Sequence, residues 1–76
     1  MELNEFIENF ADIFDDVDAS TLTADTKFRD IDEWSSLSTL GVIALADEAF
    51  DVDLKGEDMR AANTVGELYD IIKNKA

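Results

Sequence analysis

The run Trp34-Ser35-Ser36-Leu37-Ser38-Thr39-Leu40-Gly41-Val42-Ile43-Ala44-Leu45-Ala46-Asp47-Glu48-Ala49-Phe50 reads as a long helix with serines at its mouth. Thr39, Val42, Ile43, Ala46 and Phe50 keep the spacing of one helix face, enough for a buried stripe. Leu37, Leu40, Gly41 and Ala44 keep the same spacing on another side. A chain of 76 residues has one thin core, so only one stripe can face it. With the first stripe inside, the second is left as an exposed apolar strip, and such strips on small domains mark contact surfaces. Aspartate at Leu40 should then be tolerated, and aspartate at Ile43 should unfold the domain.

Upstream, Leu3, Phe6, Ile7, Phe10, Ile13 and Phe14 share a helical face, which predicts a first helix over Leu3 to Phe14. Its aromatic residues are read as core. From Asp15 to Trp34 the periodicity lapses, and Leu22, Phe28 and Ile31 are spaced to pin a long loop to the bundle. Lys27 and Arg29, set among Asp25, Asp30 and Asp32, read as local charge relief.

Downstream, Asp51-Val52-Asp53-Leu54-Lys55-Gly56 has the first, third and sixth residues of a calcium loop. Its fifth position is Lys55, however, and its twelfth is Ala62 where a bidentate glutamate is required. That rejects an EF-hand and leaves loose cation binding by clustered acids. A short helix is expected over Glu57 to Ala62. Thr64-Val65-Gly66-Glu67 fits a capping box opening a last helix, with Val65, Leu68, Ile71 and Ile72 as its core face. The expected fold is one domain over residues 1–76: an all-α bundle of three main helices plus one short helix, with a long first loop.

Composition narrows the function. There is no cysteine, histidine or proline, which excludes a disulfide framework, a Cys/His zinc site and any Cys- or His-based nucleophile–base pair. No convergent catalytic constellation is visible, so no enzymatic activity is expected. Nineteen acidic residues against six basic give a net charge of −13, concentrated in residues 1–33, where eleven acids face two bases. Such a field repels nucleic acid and anionic membranes and favours basic partner surfaces. The apolar run Leu40 to Ala46 is far short of the roughly 20 residues that span a bilayer. The acidic N-terminus lacks a signal-peptide layout, and a soluble, cytoplasmic monomer is expected.

Ser36-Leu37, followed by Thr39, Leu40, Ile43 and Phe50 and then by Asp51-Val52-Asp53-Leu54, resembles an acyl carrier protein. The likeness covers nearly the whole chain in length, acidity and helix order, ending with Asn63-Thr64-Val65-Gly66-Glu67-Leu68. Those proteins carry Asp-Ser-Leu at the start of their second helix, and the Asp is Ser35 here. The resemblance implies a covalent 4′-phosphopantetheine arm on Ser36, attached by a phosphopantetheinyl transferase and holding an acyl group as a thioester. The chain has no thiol of its own, so such an arm would import one.

It implies as well that acyl-transferring and condensing enzymes dock, by basic or apolar surfaces, on Ser35, Leu37, Ser38, Leu40, Gly41, Ala44, Asp47 and Glu48. In fatty-acid carriers the positions of Ser35, Ser38 and Gly41 are usually acidic. Small uncharged residues there point to a specialised polyketide, modified acyl or aminoacyl pathway rather than bulk fatty-acid synthesis. Gly41 costs a helix about 1 kcal/mol relative to alanine, a sign of close approach by another group. Two other readings stand beside the carrier: an unmodified acidic interaction module of the same fold, and a loose cation binder.

Overall fold

A computed structural model describes residues 2–76. Four helices follow one another: α1 (Leu3–Ala11), α2 (Ser36–Phe50), α3 (Gly56–Ala61) and α4 (Val65–Lys75). Helices α1, α2 and α4 pack against one another, and α3 lies on α4. No β-strand forms among the described residues, and the all-α bundle expected from periodicity is the fold.

α1 stops one turn short of the expected Phe14. Ile13 and Phe14 donate to Phe10 and Ala11 in i→i+3 turns, so the chain tightens before it leaves. The cause is electrostatic: Asp12, Asp15 and Asp16 crowd the negative end of the helix dipole, with no basic residue in its last turn. Phe14 is buried all the same.

Aromatic rings fill the space between the helices. Phe6, Phe10 and Phe28 have no exposed surface. Phe10 touches Phe6, Phe14, Phe28 and Trp34, and Phe6 reaches on to Phe50 and Tyr69. Trp34 stacks on Phe10 at 6.4 Å between centroids and meets Phe28 at 4.9 Å, which anchors the loop immediately ahead of α2.

That loop is less open than expected. It contains two 3₁₀ turns, Ala19–Thr21 and Phe28–Asp30, and is clipped to the far end of the chain. Val65 N–H donates to Thr26 O and Gly66 N–H to Ala24 O, both at 2.9 Å. Thr64 Oγ1 accepts from Glu67 N–H at 3.1 Å, and Glu67 Oε1 accepts from Thr64 N–H at 3.1 Å. The first amides of α4, orphaned in an isolated helix, are thus all satisfied. Arg29 does not neutralise the neighbouring acids. Its guanidinium donates to Met59 O and Ala62 O, covering the last carbonyls of α3, and lies 4.8 Å from the centroid of the Phe28 ring. A cation at a helix C-terminus both satisfies orphaned carbonyls and interacts favourably with the negative end of the dipole.

At Gly66 an added Cβ would lie 2.9 Å from Ala24 O, a backbone atom with little room to move. Gly66→Ala is therefore expected to cost about 1–3 kcal/mol by forcing the clip apart. Denaturant melts check this, and amide exchange at Val65 and Gly66 should speed up with it. An unchanged melt would mean that the loop yields freely.

Candidate functional site

α2 begins at Ser36, with Ser35 as its N-cap residue in extended conformation. Ser35 N–H donates to Ser38 Oγ at 3.2 Å, and Ser38 Oγ–H donates to Glu33 O at 3.4 Å. Ser38 is 5% exposed, so its hydroxyl ties the helix start to the loop. It was expected beside the exposed strip and is not there: three residues past the N-cap, the helix turn carries it inward. Ser35 and Ser36 are exposed. The backbone N–H groups of Ser36 and Leu37 find no acceptor among the described residues. Ser36 Oγ therefore stands in solvent at the positive end of a 15-residue helix, a favourable place for an anionic substituent.

The two stripes of α2 separate largely as their spacing suggests. Val42 and Ala46 are completely buried, and Thr39, Ile43 and Phe50 are half-buried. The inward direction runs through Ser38, Val42 and Ala46, turned slightly from the stripe read in the sequence, with Leu45 also packed against the core. On the other side Leu37 is 77% and Leu40 61% exposed, and Ala44, Asp47 and Glu48 are exposed too. At its far end the helix closes on Asp51 in the left-handed region, φ 56°, with Val52 N–H donating to Ala46 O at 3.1 Å.

Gly41 is half-buried, and the group that approaches it belongs to this chain. A Cβ there would lie 2.9 Å from Ile13 Cγ2. Asn9, Asp12, Ile13, Gly41, Ala44, Leu45 and Glu48 line an open cleft between α1 and α2, of about 230 Å³. Sequence reasoning missed the α1 side of this cleft. The glycine in mid-helix was the available signal, and it was read as pointing outward.

Neither α1 nor α2 contains a lysine or arginine. The two ion pairs among the described residues, Lys55–Asp53 and Lys75–Asp58, both at 3.0 Å, lie around α3 and α4. The Lys55 backbone N–H, and then the Lys75 ammonium, hold the Asp58 carboxyl below its ordinary value. Charge is thus partly paired on the α3–α4 side, while α1 and α2 hold no basic residue to compensate their acids. Among the described residues, no group of three or more acids, histidines or cysteines is placed to hold a metal ion, and no helix is long and apolar enough to cross a membrane.

No protein-family model matches this chain, and no solved structure matches it.

Proposed function

We propose that the protein is a stand-alone acyl carrier, holding an acyl group as a thioester on a 4′-phosphopantetheine arm attached to Ser36. The observation that supports this best is the setting of Ser36: an exposed hydroxyl at the first position of α2, beside two unpaired backbone amides and the exposed side chains of Leu37 and Leu40. A phosphodiester formed there would gain from the helix dipole and the free amides. The apolar strip running on from it would give a transferase, and then acyl-transferring and condensing enzymes, a surface to fit. Ser35, Gly41 and Ala44 add no charge to that strip, and Asp47 and Glu48 bring acid only at its end. Recognition by close fit, with charge in a supporting role, suits a specialised polyketide, modified acyl or aminoacyl pathway. We place the carrier as a monomer in the cytoplasm, with no catalytic activity of its own.

The exposed leucines also favour a second reading, an unmodified interaction module of the same fold that presents this strip to an assembly. One experiment separates the two. The apo protein is incubated with coenzyme A and a phosphopantetheinyl transferase, and its intact mass is measured. The carrier reading expects a gain of one phosphopantetheine, retained in Ser35→Ala and lost in Ser36→Ala. No gain with several transferases of differing specificity leaves the interaction module. A gain that persists in Ser36→Ala moves the arm to another hydroxyl.

A further inference from the structure

We infer that Ser38 and Glu33 are positioning residues for the loading of Ser36, acting by fixing the chain immediately ahead of it. The inference deepens the carrier reading and rests on it.

Three hydrogen bonds run in series through this corner of the fold. Asp16 N–H, just past α1, donates to Glu33 Oε2 at 3.2 Å. Ser38 Oγ–H donates to the main-chain carbonyl of Glu33 at 3.4 Å, and Ser38 Oγ accepts from Ser35 N–H at 3.2 Å. Between Glu33 and Ser35, the ring of Trp34 is held by Phe10, Phe14 and Phe28. Residues 33–35 are therefore fixed through side chains, a carbonyl and an amide, and Ser36 is the next residue in the chain.

Only 5% exposed, Ser38 offers a docking enzyme almost nothing to touch. Its hydroxyl is used as donor and acceptor at once, and alanine would take both bonds away. Loading joins Ser36 Oγ to the pantetheine-bearing phosphorus of coenzyme A. The bond from that phosphorus to the bridging oxygen breaks, adenosine 3′,5′-bisphosphate leaves with that oxygen, and the serine proton is released. Such a displacement needs the attacking oxygen in line with the bond that breaks, and a serine on a loosely held segment spends less time there. Fewer ties ahead of Ser36 thus mean a smaller competent fraction and slower loading of a chain that is still folded.

The test follows loading of the full chain from coenzyme A by a phosphopantetheinyl transferase, read by intact mass. It is run at a temperature where far-UV circular dichroism shows every variant folded. Ser38→Ala should lower kcat/KM about tenfold, the effect of one lost hydrogen-bonding group on the competent population. Ser38→Thr, which keeps the hydroxyl, should restore most of the rate. Glu33→Ala should lose about threefold, since the bond it removes lies in solvent. Glu33→Gln keeps an acceptor for Asp16 N–H without the charge and should lose little. Amide exchange at Ser35 should quicken in Ser38→Ala and not in Ser38→Thr. Ile72→Val trims a fully buried side chain on α4 and should load normally however its melt shifts, which controls for stability alone.

Equal losses in Glu33→Gln and Glu33→Ala would make Glu33 a charge read by the transferase and overturn its positioning role. Ser38→Ala that loads at the unsubstituted rate, a threonine variant no better than alanine, or a loss that Ile72→Val matches would overturn the role of Ser38. In each of these cases the carrier reading stands, because the unsubstituted protein is loaded. An unsubstituted protein that no transferase loads would overturn both together.

Discussion

Replacing Phe10 with alanine is expected to cost about 3–5 kcal/mol and to leave the domain marginal or unfolded at room temperature. Phe10 has no exposed surface and touches four other aromatic side chains, Phe6, Phe14, Phe28 and Trp34. Alanine removes the ring from the junction of α1, the long loop and the start of α2, and the four neighbouring rings cannot all move inward to close the gap. A domain of this length has about 4–11 kcal/mol of stability in total, so the loss is a large fraction of it. Urea melts followed by far-UV circular dichroism measure it. A change no larger than that of an ordinary surface substitution, about 0.5 kcal/mol, would mean that the rings do not pack as described.

The second large effect comes from two positions two residues apart on α2. Val42→Asp should unfold the protein, and Leu40→Asp should change its stability by less than about 1 kcal/mol. Val42 is completely buried, so a carboxylate there would lose its water, and neither α1 nor α2 carries a cation to pair with it. Leu40 is 61% exposed, and aspartate at that position stays hydrated. Ile43, which the sequence placed at the centre of the buried face, is half-buried and should fall between the two. Melts of the three variants rank them. The reverse order for Val42 and Leu40 would mean that α2 is turned the other way and that the strip beside Ser36 is not exposed.

Much of the fold was legible because the helices announce themselves by spacing. Phe6 and Phe10 on α1, Leu68 and Ile72 on α4, and Thr64 with Glu67 at the cap of α4 lie where periodicity and capping chemistry put them. The strip of Leu37 and Leu40 was legible for the same reason: a short chain cannot bury two faces of one helix. What stayed hidden depends on pairs distant in sequence. Nothing around Arg29 says that its guanidinium will cover α3 carbonyls 30 and 33 residues away, because adjacent carboxylates look like better partners in a linear reading. Ser38 was misplaced because a serine counts as polar until its hydroxyl is seen joining Ser35 to Glu33. The contact of Ile13 with Gly41 needs the crossing of α1 over α2, which local patterning does not encode.

The clip between residues 24–26 and 65–66, with the reach of Arg29 to Met59 and Ala62, sets an order of events during synthesis. The segment leading into Ser36 is held by backbone and side-chain bonds to residues made long after it. A nascent chain that has delivered the whole of α2 into solution still lacks the carbonyls and amides that fix the segment ahead of the serine. The loop ahead of α2 takes its final shape only once residues 59–66 are free of the ribosome. Any protein that must recognise the folded surroundings of Ser36 therefore meets its target only after residues 59–66 have emerged.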